Sequence, residues 1–378
     1  MQKNHAYKIK IYKMFISVLL LSMITFFVLK PGVVISSAKN ALILCFNTVI
    51  PSLFPFFVCS GLLIKLGFAQ VLSKRIGFIM KPLFNVNGSG SSAFLLGIIS
   101  GYPTGAITAV QLYENKLCNK TEAERLLAFC NNSGPIFILG ALTCMYNSQT
   151  AGVILYISHI LAALTVGIIF RFYKKTSVVR DTHTDMSSIA TPFATVFANV
   201  MKESLNTILL ICASVVFFKV VIDTAVYVFN LQGYVLASVA GFTEFTSGIN
   251  VIAGMNVPIS AKIILTSGVL GFAGISVHFQ VLNILSKTDL SAKPYFAGKL
   301  LHSVFSSLYV LIMLRFIPVG TPVFMNIFPM RTESCFVCTS VFVFGMGYIL
   351  SGILFAFMLT VISYISCRLK GKRKHCEK

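Results

Sequence analysis

Apolar stretches about as long as a bilayer is thick recur from end to end of this chain, and they constrain its fold more than any other feature. A membrane-spanning helix needs about 20 mainly apolar residues. Candidates lie near 14–29, 41–64, 91–113, 126–146, 151–170, 204–230, 234–254, 259–285, 300–317 and 336–367. Of the 378 residues, 56% are hydrophobic and only 11% charged, against about 25% charged in a soluble globular domain. A soluble enzyme of this make-up would expose more apolar surface than water tolerates. The expected fold is an all-α polytopic membrane protein.

The net charge of +20 comes from 31 Lys and Arg against 11 Asp and Glu. These charges sit in short runs between the apolar stretches, as in cytoplasmic membrane loops, so lipid rather than nucleic acid is the partner they imply. The first segment follows Lys3, Lys8, Lys10 and Lys13, and Ser36-Ser37-Ala38 looks like a cleavage site. Because the rest of the chain is apolar in the same way, the segment reads as an uncleaved anchor. Most Cys stand alone inside apolar segments, among them Cys45, Cys59, Cys130 and Cys212. The pair Cys335-Phe-Val-Cys338 has metal-site spacing but no second Cys or His pair nearby. Reduced thiols packed as small hydrophobes are expected, with no metal and no cofactor.

Two segments are interrupted where a simple span would be continuous Leu, Ile and Val. Residues 91–113 contain Ser100-Gly101-Tyr102-Pro103-Thr104-Gly105, and residues 234–254 contain Gly241-Phe242-Thr243-Glu244-Phe245-Thr246-Ser247-Gly248. Irregular backbone at membrane depth survives only when buried in protein or lining a wet cavity. If both are re-entrant, eight segments cross and both chain ends are cytoplasmic. On that topology Lys30, Lys39 and Arg331 face outside, Lys219, Lys262 and Arg315 lie within segments, and every other basic residue faces the cytoplasm. That distribution obeys the positive-inside rule, so the expectation is eight crossings plus two re-entrant segments.

The two halves repeat. Asn47-Thr48-Val49-Ile50 matches Asn206-Thr207-Ile208-Leu209, and the pairs Gly101/Gly241 and Gly134/Gly274 share one offset. The first half is longer, and the basic stretch 65–87 can supply the excess as a helix on the cytoplasmic surface. Each half reads as helix, re-entrant segment, broken helix. The first half enters from outside and the second from inside, so the repeat is inverted. Inverted repeats with interrupted helices at matching positions point to a secondary transporter with its site near the midplane.

At these interruptions the chain resembles the sporulation integral membrane protein YlbJ family, within the wider group of membrane proteins carrying the nucleoside-recognition Gate domain. The matching pieces are the run from Ser100 to Ala106, Cys130-Asn131-Asn132-Ser133-Gly134-Pro135-Ile136-Phe137, the run from Gly241 to Ile249, and the run from Gly271 to Gln280. The last two are looser, with Ala273 where a second glycine is expected. The resemblance implies an endospore-forming bacterium, a role in late spore maturation, and export of dipicolinic acid from the mother cell across the outer forespore membrane. On this reading residues 1–40 are an N-terminal anchor, 41–146 the first Gate-like repeat and 147–200 a connecting helix and basic loop. Residues 201–299 are the second, inverted repeat, and 300–378 are C-terminal helices and a basic tail.

Dipicolinate is a planar ring with two carboxylates, and broken helices offer such an anion backbone N–H groups and dipole ends. The expected cradle is Gly101, Tyr102, Pro103, Thr104 and Gly105 with Asn131, Asn132, Ser133 and Gly134. The glycines allow close approach, Pro103 and Pro135 each withhold a helix bond, and the polar side chains donate. The same residues also suit tight helix packing. Tyr102 and Phe242, at equivalent repeat positions, can stack on a planar ligand or pack in a core. From the second half come Thr246, Gly248, Gly274, Ser276, His278 and Gln280, with His278 as donor, pH sensor or satisfied interior histidine.

Glu244 is an acidic residue at the centre of an apolar segment. It can carry a coupling proton, ligate Na⁺ with Thr243 and Thr246, or pair with Lys262 or Lys219. A bare carboxylate beside a dianion repels it, whereas a nucleoside would welcome the acceptor. Lys262, Lys219 and Arg315 lie close enough to segment ends to snorkel; of the three only Lys262 is also a candidate substrate contact, and His302 is read as incidental at a segment end. No Gly-x-Ser-x-Gly elbow, phosphate-binding Gly-Lys-Ser/Thr loop or His-Glu-x-x-His occurs, so no enzyme is expected. The leading expectation is a carrier for a small anionic substrate, in contact with the lipid bilayer, coupled to a proton or sodium ion, with an oligomer left open. The alternatives are a nucleoside or other small-metabolite carrier and a non-transporting scaffold for spore-envelope assembly.

Overall fold

The computed structural model describes residues 2–66, 68–174 and 192–319. The segment near 336–367, the tail 368–378, Arg331 and the Cys335/Cys338 pair lie outside them. Every regular element among the described residues is helical. The chain opens with α1 (Gln2–Leu29), α2 (Pro31–Leu44) and α3 (Ile50–Lys65), the last two joined by a π-helical turn at Cys45–Val49. This helix therefore begins at Pro31, ahead of the expected 41, because Pro31 at its first position has no N–H to leave unbonded. Next come α4 (Phe68–Phe84), α5 (Gly90–Ser100), α6 (Thr104–Glu114) and α7 (Lys120–Phe129). A π-helical turn at Ile136–Leu142 leads into α8 (Thr143–Tyr146) and α9 (Gln149–Phe170). The second half holds α10 (Phe193–Phe229), α11 (Gly233–Thr243), α12 (Phe245–Gly254), α13 (Ile259–Phe272), α14 (Gly274–Leu285) and α15 (Lys293–Phe316).

Among the described residues, five helical stretches are long and apolar enough to cross a membrane: Pro31–Val49, Gln149–Phe170, Phe193–Phe229, Ile259–Leu285 and Lys293–Phe316. Their side chains are arranged inside out relative to a water-soluble bundle. On α15, Lys299, His302 and Ser306 are fully buried while Leu300, Val304, Leu308 and Leu311 are exposed. On α9, Ser158 and His159 are buried while Val153, Ile157, Leu161 and Ile168 are exposed. Water would penalise that arrangement, whereas hydrocarbon outside and polar groups within suit a bilayer.

Both interrupted segments fold back as hairpins. The arms α5, α6 and α11 have 11 residues each and α12 has 10, about 16 Å of helix, half the hydrocarbon core. A Cβ placed on Gly97 would lie 3.2 Å from the Gly105 Cα, and one on Gly248 would lie 2.2 Å from the Gly241 Cα. Residues that close across a turn cannot belong to one straight helix, where they would be separated by about 1.5 Å of rise for every intervening residue. The glycines that seat the first hairpin are thus Gly97 and Gly105, and their counterparts are Gly241 and Gly248. This corrects the sequence pairing of Gly101 with Gly241: Gly101 sits in the turn itself, at φ +81°, where a residue without a Cβ is favoured.

At one end of the molecule, α7 gathers the connecting loops. Asn119 caps it in a reciprocal arrangement with Glu122, whose carboxylate also accepts the Asn87 N–H at 3.1 Å. Glu124 accepts from Lys174, from the Tyr173 hydroxyl and from the Ser291 N–H. Arg125 donates to the carbonyls of Asn85, Tyr173 and Lys174. All three α7 side chains are buried, a polar network worth its desolvation only because each charge meets several partners. Beyond it, Asp289 accepts from Lys120 and from the Tyr113 hydroxyl at 2.8 Å each, which holds its carboxyl below the usual carboxylate range.

Candidate functional site

Each hairpin tip meets the interruption of the helix that follows it. A Cβ on Gly101 would lie 2.8 Å from the Gly134 N, and one on Gly105 would lie 1.9 Å from the Cys130 carbonyl oxygen. In the second half a Cβ on Gly274, itself at φ +76°, would lie 3.0 Å from the Phe245 N. The tip of one hairpin, 101–103 with its cis Tyr102–Pro103 peptide, thus rests on the break 130–135. The other, at Glu244, rests on the break at Ala273 and Gly274. Gly101, Gly105, Gly134, Gly248 and Gly274 are contact points between backbones, which is the packing role that small residues have in membranes.

The two junctions meet each other. Tyr102, Ala273 and Val277 form one buried cluster with Phe245 against it. The rings of Tyr102 and Phe137 both stand edge-on to Phe245, at 5.7 and 5.4 Å. The Tyr102 hydroxyl donates to the Leu270 carbonyl at 2.8 Å, in the last turn of α13, where carbonyls have no helical N–H ahead of them. Tyr102 is therefore a core ring. Phe242 is more than half exposed and stacks on Phe272 at 5.2 Å, beside an outward apolar pocket of about 260 Å³ that His278 and Phe279 also line. The two aromatics expected at equivalent places occupy different surroundings because the hairpins turn at different residues.

Around this centre stand polar side chains with few protein partners. Asn131 lies against the Tyr295 phenol without a hydrogen bond of ordinary geometry. Asn132 donates to the Phe129 carbonyl at 2.8 Å, closing the end of α7, and its own side-chain oxygen has no partner. The Ser133 N–H donates to His159 Nε2 at 3.1 Å. His278 Nδ1 lies 2.9 Å from the Tyr295 hydroxyl, while its Nε2 is unpartnered. Ser276 and Gln280 are buried on the same helix, and Thr104 is half-buried at the start of α6. Glu244 is fully buried and accepts from the Ser247 N–H at 2.6 Å, the Thr246 N–H at 3.0 Å and the Thr246 hydroxyl. It is the N-cap of α12, an anion at the positive end of a helix.

The ion pairs expected for Glu244 do not form. Lys262 donates to the Ala253 carbonyl at 2.7 Å and Lys219 pairs with Asp223. Each basic side chain meets another acceptor, and the Glu244 carboxylate already takes three hydrogen bonds from the start of α12.

Two residues at the centre escaped sequence reasoning. Lys299, counted with the loop charges, lies on α15, which starts at Lys293 rather than near 300. Its fully buried ammonium has no hydrogen-bond partner and stands 5.0 Å from the centre of the Tyr102 ring. His302, read as incidental, is fully buried, stacks on His159 at 4.3 Å and has neither ring nitrogen bonded. The signal was present: Tyr295, Lys299, His302 and Ser306 follow at four-, three- and four-residue spacing, one face of an apolar helix. Splitting the segment at residue 300 hid it.

Short helical hairpins seated on broken helices around a buried polar centre, among helices long and apolar enough to cross a membrane, mark a multi-pass, all-α integral membrane protein. The chain is 30% identical over 318 residues to the sporulation integral membrane protein YlbJ of Bacillus subtilis (strain 168), an alignment covering 75% of this chain and 78% of that protein. It belongs to the YlbJ family of sporulation integral membrane proteins. No family model matches the chain, and no solved structure matches it.

Proposed function

We propose that the chain is a secondary carrier that exports dipicolinate across the outer forespore membrane during sporulation, working by alternating access around its two broken-helix junctions. The observation that carries this reading is the meeting of both hairpin tips and both helix breaks at one buried centre, with Tyr102 bonded across to Leu270. Broken helices of matching kind in the two halves are how secondary carriers build a midplane site. The reading includes an inverted repeat, eight crossings, two re-entrant hairpins, a Gate-like domain and cytoplasmic termini, and the matching hairpin-on-break junctions are what support its repeat. On that topology the α7 network lies at the cytoplasmic end. Membership in a sporulation membrane family supplies the setting and, through the resemblance, the substrate. A Glu244 engaged in capping favours an anion over a nucleoside, because its carboxylate is turned into the start of α12 rather than offered to a ribose.

Uptake of labelled dipicolinate into proteoliposomes containing the full-length protein tests the reading, with uridine in parallel. Saturable dipicolinate flux is expected. Uridine flux alone would replace the substrate and keep the carrier. Flux of neither substrate across proton and sodium gradients, with insertion verified, would favour a scaffold for spore-envelope assembly.

A further inference from the structure

The buried centre holds several donors that meet no protein acceptor, beside unpartnered side-chain oxygens of Asn131 and Asn132. Lys299 brings three ammonium N–H groups with no protein acceptor. His159 accepts the Ser133 N–H through Nε2, so its neutral ring carries the proton on Nδ1, which also has no acceptor. His302 adds a further ring N–H, again unpartnered. The four ion pairs among the described residues use Lys65, Lys120, Lys174 and Lys219, and none engages Lys299.

Holding the buried Lys299 amine as an ammonium without a counter-charge would cost several kcal/mol of desolvation, so an arriving anion is what favours its charged form. The Tyr102 ring face returns only about 2 kcal/mol of that cost. A lysine serving only structure would meet an acceptor, as Lys219 meets Asp223 and Lys262 the Ala253 carbonyl. We propose that Lys299, flanked by His159 and His302, is the anion-binding site of the carrier and takes a carboxylate of a small planar dicarboxylate. The proposal rests on the carrier reading and deepens it. The substrate supplies the missing counter-charge, and its arrival against Tyr102 couples occupancy to the junction of the two halves. An uncharged nucleoside gains nothing from an unpaired ammonium, so Lys299 also sets specificity.

The test uses full-length protein in detergent and in proteoliposomes, with labelled dipicolinate as probe. Lys299→Met keeps the side-chain length and removes the charge. It is expected to insert normally and melt no lower than the wild type, since replacing a buried unpaired charge by an apolar group does not destabilise. Its affinity for dipicolinate should fall on the order of 30-fold or more, the range for loss of a charge-assisted hydrogen bond. Lys299→Arg should recover part of that loss, and His302→Gln should weaken binding on the order of 5-fold with an unchanged melting temperature. If Lys299→Met fails to insert, His302→Gln and Lys299→Arg decide alone, and wild-type affinity in both overturns the site. Wild-type affinity in an inserted Lys299→Met protein overturns the site and leaves the carrier standing. A wild-type protein that neither binds nor moves dipicolinate overturns the dipicolinate reading, and the site with it, whether or not uridine moves.

Discussion

The Tyr102 hydroxyl reaches across the molecule to the Leu270 carbonyl at 2.8 Å, so the tip of the first hairpin completes the end of a helix in the second half. Leu270 lies in the final turn of α13, before the chain turns at Ala273 and Gly274. A carbonyl there must find a donor outside its own helix, and Tyr102 is that donor. The same ring forms the floor beneath the Lys299 ammonium. One side chain thus joins the two breaks and the buried cation.

Removing only the oxygen measures that link. Tyr102→Phe keeps the ring against Phe245 and leaves the Leu270 carbonyl buried without its donor. A loss of about 1–3 kcal/mol is expected, read as a lower melting temperature by far-ultraviolet circular dichroism in detergent. An unchanged melting temperature would mean that the bond contributes nothing across the junction.

Gly97 and Gly105 straddle the Cys130 carbonyl, and a Cβ on either would come within 1.7 and 1.9 Å of its oxygen. Relief requires moving backbone, so Gly97→Ala and Gly105→Ala should each destabilise by more than the roughly 1–3 kcal/mol of ordinary overpacking. Gly254 has nothing within 4 Å of its added Cβ. There the same substitution should stabilise slightly, by about 0.5–1 kcal/mol, through reduced chain entropy. Equal effects at all three sites would show that the hairpin does not rest on break 130–135 as described.

Ala273 occupies a left-handed conformation, φ 77°, where the sequence pattern led us to expect glycine. Ala273→Gly relieves about 1–2 kcal/mol of backbone strain and gives up a buried methyl worth about 0.8 kcal/mol. The two nearly cancel, and stability within about 1 kcal/mol of wild type is expected. Ala273→Val adds a β-branched side chain to the same strained backbone beside Tyr102 and should melt clearly lower. A valine variant as stable as wild type would count against this packing.

Glu244 joins two roles that one substitution separates. Glu244→Gln retains one acceptor for the start of α12 and loses the charge at its positive end, so a stability loss of roughly 1 kcal/mol is expected from the cap alone. If Glu244 also carries the coupling ion, dipicolinate flux in this variant should stop responding to imposed proton or sodium gradients. Flux that keeps the wild-type ion dependence assigns Glu244 to capping alone.

The class of molecule and the places where its helices break are written in local sequence. Apolar length is a local property, and Gly101, Pro103, Pro135 and Gly274 interrupt helices through their own backbone chemistry, whatever surrounds them. Family membership was legible in the same runs. What faces what depends on the packing of distant segments. Gly101 and Gly241 matched in sequence, yet the glycines that seat the hairpins are Gly97 with Gly105 and Gly241 with Gly248, because close approach depends on where each turn falls. Lys262 and Lys299 look alike along the chain, each a lysine at the edge of an apolar stretch. One reaches a nearby carbonyl, while the other is enclosed by α7, α9 and α13 packed around α15. Burial of a charge is set by neighbours distant in sequence, and no local pattern states it.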